Sequence, residues 1–211
     1  MNIISPSHEF LQEIDGVEML KRLERIGRVC YKSEGRITDT SYAAFLTNLL
    51  ARGHESVIEH EKVSVKLICD RGVSHEIVRH RLASYSQEST RSCNYSKDQF
   101  GRELTLIRPC FWQEDSEGFE IWKETMAVIE KNYFRLLESG ATAQEARSIL
   151  PNSLKTEIVM TMNLREWRLF FKLRTAPAAH PQMREVANAL LLDFQQKIPV
   201  LFDDIPAEKK D

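Results

Sequence analysis

The sequence predicts a single domain of the α/β or α+β class that spans residues 1–211. Segments with helical periodicity alternate with short segments rich in β-branched residues, and no internal repeat, low-complexity segment or clear linker separates them. A length of 211 residues with 42% hydrophobic side chains is enough for one substantial core, although two small domains would also fit. The pattern along the chain does not fix the order of the strands.

Helical periodicity predicts two helices before residue 54. Between Gly16 and Val29 the apolar residues recur every three or four positions, with charged residues between them. A second helix can be capped by Thr38 or Asp39 and ends before Gly53, because glycine readily adopts the left-handed conformation found just past a helix end. Candidate site residues begin directly after this helix, at His54.

A strand, a helix and a loop are predicted next. Val63–Leu67 alternates apolar and polar residues, as a half-buried strand does, and the polar Asp70-Arg71-Gly72 marks its end. Ser74 is the predicted N-cap of a helix over His75–Arg81. The segment Ser84–Arg91 is too polar and too rich in hydroxyl groups for a core element, so a loop is predicted there.

Four helices and a strand are predicted in the second half of the chain. They are a long helix over Gly118–Glu138, a short helix begun by the capping box of Thr142 and Glu145, a strand over Leu154–Met162, a helix over Leu164–Arg174 capped by Asn163, and a last helix that ends near Gln196. The aromatic residues Trp167, Phe170 and Phe171 recur at helical spacing and are predicted to lie in the core. The charged tail Pro206–Asp211 is predicted to be disordered.

Composition narrows the classes of function. The 29 Lys and Arg residues nearly balance the 31 Asp and Glu residues, so the net charge of −2 gives no support to generalised binding of nucleic acid or membranes. The four cysteines form no C-x-x-C pair, which fits a reducing compartment. The sequence shows neither an export signal nor a run of about eighteen apolar residues. We therefore expect a cytoplasmic protein whose anion sites are local.

The densest polar cluster runs from Glu76 through the segment that ends at Arg91. The guanidinium groups of Arg79, Arg81 and Arg91 are planar forks that match phosphate oxygens, and hydroxyl groups follow in the same segment. A phosphorylated ligand is the predicted partner. The alternative from the residues alone is a solvated basic helix end, since arginines there complement the helix dipole.

Arg79-His80-Arg81, seven intervening residues and then Ser89 resemble the signature of flavin-dependent thymidylate synthases. The similarity extends to His54–His60, to Ala146-Arg147, to Asn163 and to Leu173-Arg174. The resemblance implies a central mixed sheet flanked by helices and a homotetramer with active sites between subunits. It also implies methylation of deoxyuridylate (dUMP) to thymidylate (dTMP), with FAD as cofactor and with NADPH and 5,10-methylenetetrahydrofolate as co-substrates, releasing tetrahydrofolate.

The same resemblance implies roles for individual residues. Residues expected to bind FAD are His54, Ser56, Arg79, His80, Arg81, Gln87, Asn163 and Arg165. Residues expected to bind dUMP are Glu76, Arg79, Gln87, Glu88, Ser89, Thr90, Arg91, Arg147 and Arg174. Arg174 is expected to be catalytic, because a permanent cation facing the uracil stabilises the negative charge that develops over its N3 and carbonyl oxygens. Without the resemblance, Arg174 reads more readily as a helix-end arginine paired with a carboxylate such as Glu185.

Two positions depart from the family pattern. Leu169 stands where members often carry a polar Asn or His near FAD, and Glu76 stands where others carry Gln. A leucine removes one hydrogen bond to the flavin, a loss of about 1 kcal/mol, so looser FAD binding is predicted.

Two other classes of function are alternatives to the enzyme. A metal hydrolase could use His54 and His60, but six positions separate them, whereas the zinc-protease pattern needs four, so no metal site is predicted. A nucleic-acid-binding module could use the arginines with Tyr85 and Tyr95 stacking on bases, but the near-zero net charge disfavours it.

Overall fold

The computed structural model describes residues 1–208 and combines helices with short strands. The strands are β1 (Asn2–Ile4), β2 (Ser7–Phe10), β3 (Lys62–Asp70), β4 (Ala83–Gln87), β5 (Thr105–Ile107) and β6 (Lys155–Asn163). The α-helices are α1 (Gly16–Val29), α2 (Ser41–Ala51), α3 (Arg71–Ile77), α4 (Glu117–Glu138), α5 (Ala143–Ala146), α6 (Leu164–Arg174), α7 (Pro181–Lys197) and α8 (Pro199–Phe202). Short 3-10 helices cover Glu34–Arg36, Glu55–His60, Asp98–Phe100 and Arg147–Ile149. The predicted α/β fold class is confirmed.

The strands form two sheets. β1 and β5 pair in parallel, and the other four strands follow the order β2-β3-β6-β4. Every second residue of β3 from Val63 onward is buried, and β6 shows the same alternation from Thr156. This period of two is the pattern from which β3 was predicted, whereas β6 was predicted from its content of Thr, Ile and Val.

The chain divides into two compact units. Unit 1 comprises Met1–His8, Leu67–Arg79 and Tyr85–Val159, and unit 2 comprises Glu9–Lys66, His80–Ser84 and the described residues from Met160 onward. The division falls inside β3 and inside β6 rather than in linkers, so one domain over residues 1–211 stays a prediction.

Each unit has its own apolar core. In unit 1 the side chains of α4, among them Phe119, Trp122 and Tyr133, pack with Leu106 and Leu154. In unit 2 the rings of Trp167, Phe170 and Phe171 are fully buried, and the Phe171 ring centroid lies 5.1 Å from that of Phe194 and 5.8 Å from that of Phe202. The prediction that this aromatic stripe of α6 belongs to the core is confirmed.

Apolar periodicity and capping residues in the sequence correctly predicted several features of the helices. α1 and α6 have the predicted bounds, and the Asn163 side chain caps α6 by accepting a hydrogen bond from the Glu166 amide at 2.9 Å. The capping box of Thr142 and Glu145 is also present. For α2 the expected cap is wrong, because the N-cap is Thr40, whose side chain makes no capping hydrogen bond.

Two predictions around the polar cluster are wrong. The helix expected over His75–Arg81 is α3, which begins at Arg71 because the Asp70 carboxylate caps it, accepting from the Val73 amide at 2.7 Å. Arg79-His80-Arg81 therefore follows the helix instead of ending it. The loop expected over Ser84–Arg91 begins with strand β4, whose residues alternate between half-buried and exposed at one end of the sheet order.

The tail and the short strands also differ from expectation. Glu208 donates its amide to the Asn188 side chain at 2.9 Å and accepts from Arg184, so the tail is ordered up to that residue, and residues 209–211 lie outside the described part of the chain. β1, β2 and β5 were not predicted, because three or four residues are too few for a clear alternation.

Candidate functional site

In unit 1 the end of β4 is held by the amide of Gln87. Its Nε2 donates to the Ser74 hydroxyl of α3 at 2.9 Å and to the Thr156 hydroxyl of β6 at 3.2 Å. Ser74 is 1% exposed and Thr156 is fully buried, so these partners do not exchange freely with water. The amide thus fixes the point at which the segment from Glu88 to Arg91 leaves the sheet.

Glu88 is engaged by two neighbours in the same unit. Its carboxylate accepts from the Tyr95 hydroxyl at 2.8 Å and from Lys155 Nζ at 3.0 Å, and Lys155 also contacts Glu157 at 2.7 Å. Burial and the charge of Glu88 raise the pKa of Tyr95. Glu88 therefore stabilises the unit, and its expected contact with the nucleotide stays a prediction.

Three arginines of unit 1 are available to an anion. Arg79, Arg91 and Arg147 are exposed, and within residues 1–208 none of them forms an ion pair with a carboxylate. The Arg147 guanidinium donates to the hydroxyl of buried Thr90 at 3.5 Å, which brings together two predicted residues 57 positions apart. Ser89 is exposed beside Thr90, and Glu76 lies half-buried on α3. A phosphate could bind these arginines without displacing a carboxylate.

In unit 2 a chain of hydrogen bonds links Arg174, His80 and Glu166. Arg174 Nε donates to His80 Nε2 at 3.1 Å, and His80 Nδ1 lies 3.3 Å from Glu166 Oε1. His80 is 5% exposed, and its ring lies edge-on to Phe170 at a centroid distance of 5.0 Å. The structure thus brings together the predicted catalytic arginine and the histidine of the predicted signature, which are 94 positions apart.

The protonation state of this chain follows from burial and charge. Burial, together with the positive charge of Arg174, lowers the pKa of His80 from 6.5 to about 4. His80 is therefore neutral at pH 7, and since Nε2 accepts from Arg174, the single ring proton is on Nδ1 and is donated to Glu166. Burial raises the pKa of Glu166, and the charge of Arg165 opposes that effect.

A cavity of about 520 Å³ in unit 2 lies beside α6 and the 3-10 helix Glu55–His60. Its lining residues are Glu55, Glu59, Leu82, Asn163, Arg165, Glu166, Leu169 and Lys172. Two of the residues expected to bind FAD, Asn163 and Arg165, line it together with Leu169, the residue that departs from the family pattern. Leu169 is 46% exposed, so its side chain is accessible to a ligand.

Three carboxylates pair with the basic residues of α6 beside this cavity. Arg165 donates to Glu59 at 2.6 Å, and Arg165, Arg168 and Lys172 lie 3.8, 3.5 and 3.7 Å from Glu55. Arg168 is almost fully buried and forms a two-pronged pair with Asp204 at 2.7 and 2.6 Å. Four of the lining residues, Glu55, Glu59, Arg165 and Lys172, therefore take part in ion pairs.

Not every residue expected to bind FAD lines the cavity. Among residues 1–208, the lining does not include His54, Ser56 or Arg81, all of which are exposed. His54 precedes the 3-10 helix that contributes Glu55 and Glu59, so it lies at the edge of the same segment. The Oδ1 atom of Asn163 is used by the cap of α6, which leaves its amide nitrogen as the group able to contact a ligand.

The partners of the predicted residues were not predicted from the sequence. Glu166 was not singled out, although its spacing from Asn163 is that of a capping box. Its contact with His80, 86 positions away, has no local signal. Leu82 and Lys172 were missed for the same reason, because the fold alone places them on the cavity.

Residues 1–208 contain no group of three or more His, Cys, Asp or Glu side chains arranged to hold a metal ion. None of their helices combines the length and the apolar composition needed to span a membrane.

The fold is that of a nucleotide methylase of known structure. This chain matches the crystal structure of the UMP/dUMP methylase PolB from Streptomyces cacaoi bound with 5-Br dUMP. The TM-score is 0.77 at 21% sequence identity, and the match covers 96% of both chains. The structure of PolB with 5-Br UMP gives a TM-score of 0.75 at 18% identity. At these identities the similarity shows the shared fold alone.

Sequence comparison shows the family. The thymidylate synthase complementing protein family (Thy1) matches residues 14–200, and the chain belongs to that family. Relatives named flavin-dependent thymidylate synthase include those of Pyrococcus abyssi, 37% identical over 163 residues, and Geobacter sulfurreducens, 33% identical over 184 residues. These alignments cover 77% and 84% of this chain. The chain spans 66% of the length of the Pyrococcus abyssi relative and 78% of the Geobacter sulfurreducens relative.

Proposed function

We propose that this protein is a flavin-dependent thymidylate synthase, which methylates dUMP to dTMP with 5,10-methylenetetrahydrofolate as the one-carbon donor and NADPH as the reductant. The observation that carries the proposal is the family match over residues 14–200, joined by relatives of that name at 33–39% identity. A homotetramer with active sites between subunits, working in the cytoplasm, is part of the same proposal.

The arginines of unit 1 support the dUMP site of the proposal. Arg79, Arg91 and Arg147 have no carboxylate partner within residues 1–208, so a nucleotide phosphate can take that place. Ser89 and Thr90 add hydroxyl groups next to Arg91 in the chain. Ser89 binds in this proposal and does not attack, because an unassisted serine hydroxyl is a weak nucleophile.

The volume of the cavity of unit 2 and part of its lining support a flavin site. Its volume of about 520 Å³ lies within the range of cofactor sites, and it combines the apolar Leu82 and Leu169 with the amide of Asn163 and the guanidinium of Arg165. Asn163 and Arg165 would hold polar atoms of FAD, and the two leucines would cover an apolar face. Bound FAD supplies the redox chemistry that converts the transferred one-carbon unit into a methyl group.

Arg174 stabilises charge in the proposed reaction. Uracil becomes nucleophilic at C5 as negative charge spreads over N3 and its carbonyl oxygens, and a guanidinium facing that edge lowers the energy of this state. His80 accepts from Arg174 Nε and so helps to orient the guanidinium group. Glu166 fixes the ring of His80 through Nδ1. His80 and Glu166 thus act as positioning residues.

Binding of dUMP to the protein loaded with FAD tests the assignment of the site. We expect saturable binding of one dUMP per chain, and Arg91→Gln should weaken it tenfold or more, since a charge-assisted hydrogen bond contributes about 1.5–3 kcal/mol. The matched control is Arg135→Gln, an exposed arginine of α4 in the same unit. Equal affinity in both variants would contradict the dUMP site.

The nucleic-acid-binding alternative gives a different result in the same experiment. A module for single strands would bind single-stranded DNA with a steep dependence on salt and would bind one mononucleotide poorly. Tight binding of DNA without saturable binding of dUMP would overturn the proposed function.

A further inference from the structure

A second cleft in unit 2 shares no lining residue with the cavity beside α6. It has a volume of about 560 Å³ and is bordered by the end of α1, the 3-10 helix Glu34–Arg36 and α2. Its lining includes four cationic side chains, Arg28, Lys32, Arg36 and Arg52, and within the described residues it includes no Asp or Glu. The volume is in the range of small-molecule sites, and the charge of the lining selects for an anion.

Three of these four cations are available to a ligand. Lys32, Arg36 and Arg52 are exposed, and none of them has a salt bridge or a side-chain hydrogen bond to another residue of the described chain 1–208. Other exposed arginines of the chain, such as Arg22 and Arg102, are paired with carboxylates. Unpaired positive charge gathered in one cleft attracts a ligand that carries several negative charges.

Arg28 is the one cation of the cleft lining, within the described residues, that is already paired. Arg28 has a side chain only 12% exposed, and its guanidinium donates to buried Glu24 at 3.1 and 2.7 Å. The same guanidinium lies 4.4 Å from the centre of the Phe45 ring. At Lys32 the backbone has a φ of 47°, a conformation uncommon for residues with a side chain and enriched at binding sites. Arg28 is therefore held in place within the lining of the cleft.

One aromatic ring in the cleft is open to a ligand. The Tyr31 side chain is 64% exposed, whereas Arg28 covers the Phe45 ring. Nucleotide bases stack on exposed aromatic rings, and planar guanidinium groups pair with phosphate oxygens. A lining with three free cations and one free ring therefore matches a purine nucleotide with more than one phosphate.

We propose that this cleft binds the phosphorylated adenosine of a nucleotide, with phosphates on Lys32, Arg36 and Arg52 and the base on Tyr31. The choice of adenosine rests on the proposed function, since NADPH carries phosphates on both sides of its adenosine. The same chemistry is found in free adenine nucleotides, so the source is either the co-substrate or an effector.

Binding of adenosine 2′,5′-bisphosphate to the FAD-loaded protein, measured by calorimetry, tests the proposal. We expect Arg36→Gln and Arg52→Gln each to weaken binding about tenfold, because each removes a charge-assisted contact. The matched control is Arg25→Gln, an exposed arginine of α1 outside the cleft, and it should leave the affinity nearly unchanged. All three side chains are exposed, so the fold should tolerate their loss.

Tyr31→Leu tests the contact with the base separately from the contacts with the phosphates. It should weaken the bisphosphate about fivefold or more while leaving the affinity for tripolyphosphate unchanged, because only the first ligand can stack. The proposal is overturned if the wild-type protein does not bind the bisphosphate, or if Arg36→Gln and Arg25→Gln bind it equally well. Neither result depends on turnover, so failure of the proposed synthase reaction would be seen separately.

Steady-state kinetics then identifies the source of the nucleotide. If NADPH is the ligand, Arg36→Gln raises its KM about tenfold and leaves the KM of dUMP unchanged. If bisphosphate binding is lost while the KM of NADPH stays the same, the cleft is a site for a free adenine nucleotide. Both outcomes support a phosphoadenosine site.

Discussion

At the scale of single residues, Arg174 is placed by a neutral histidine. A cation beside Arg174 would repel it, but burial keeps His80 uncharged, so its Nε2 lone pair can accept from Arg174 at 3.1 Å. The ring is oriented in turn by Glu166 at 3.3 Å. His80 thus orients the guanidinium without adding a second positive charge, and a cation at this position is what the proposed reaction requires.

Replacing Arg174 by Ala should lower kcat for dTMP formation by about 10² or more, the usual cost of removing one group that stabilises charge in the transition state. FAD should stay bound, because Arg174 does not line the cavity beside α6 in the described chain. Rapid-quench kinetics and the visible spectrum of the flavin measure the two quantities. Turnover near that of the wild type would remove Arg174 from the mechanism.

The role of His80 can be separated from simple packing. His80→Leu removes both hydrogen bonds and should lower kcat about tenfold, whereas His80→Gln can still accept from Arg174 and should recover most of that loss. His75→Gln, at an exposed position of α3, is the control. If the Leu and Gln variants turn over equally slowly, the positioning role is wrong.

Leu169→Asn should tighten FAD binding about fivefold, because the new amide can supply one hydrogen bond of about 1 kcal/mol in the cavity. Leu173→Asn is the matched control, since Leu173 is 52% exposed on the same helix and does not line the cavity within the described residues. Flavin fluorescence during titration gives both affinities. Equal affinities of the two variants would show that Leu169 does not contact the flavin.

At the scale of elements, cap geometry decides which helix ends matter for stability. Asn163→Ala should lower the free energy of unfolding by about 1 kcal/mol, because its side chain caps α6. Thr40→Ala should change it by less than about 0.5 kcal/mol, because Thr40 is the N-cap of α2 without a capping hydrogen bond. Urea unfolding of the flavin-free protein measures both, and equal losses would contradict the account.

The elements that could be predicted from the sequence are those with local signals. α1 and α6 are set by apolar periodicity and by caps within a few residues, so their bounds were correct. The predicted start of α3 was wrong because Asp70 and Ser74 are both residues that cap helices well. Only the fold shows that Asp70 is the cap and that Ser74 is buried and hydrogen-bonded to Gln87. β4 was read as a loop because a polar strand at the end of a sheet lacks the apolar residues of a central strand.

The candidate site also has parts that could be predicted from the sequence and parts that could not. The arginines and Ser89 stand close together in the sequence, so their clustering was visible. The links between His80, Glu166 and Arg174 join residues 86 and 94 positions apart, and no local pattern encodes them. Strand order was likewise out of reach, because β2-β3-β6-β4 follows from packing over the whole chain.

At the scale of the whole molecule, the buried histidine makes stability depend on pH. The pKa of His80 is lowered to about 4, so the unfolded chain takes up its proton at higher pH than the folded protein does. The contribution of neutral His80 to the free energy of unfolding is fully present above about pH 6.5. It is lost as the pH falls towards 4, by up to about 1.4 kcal/mol per pH unit. The raised pKa of Glu166 acts in the opposite direction.

Denaturant unfolding between pH 7 and pH 4.5 checks this prediction. His80→Gln should flatten the decline in the free energy of unfolding relative to the wild-type protein, and His75→Gln should leave the decline unchanged. A wild-type slope in His80→Gln would show that His80 is not the titrating group.

The central claim is that this chain makes dTMP with a flavin, and one measurement tests it most directly. Purified protein is incubated anaerobically with dUMP, 5,10-methylenetetrahydrofolate and NADPH, with and without added FAD, and dTMP is quantified by mass spectrometry. The account predicts dTMP with FAD and little or none without it. No dTMP with FAD present, in protein that also fails to bind dUMP, would contradict it.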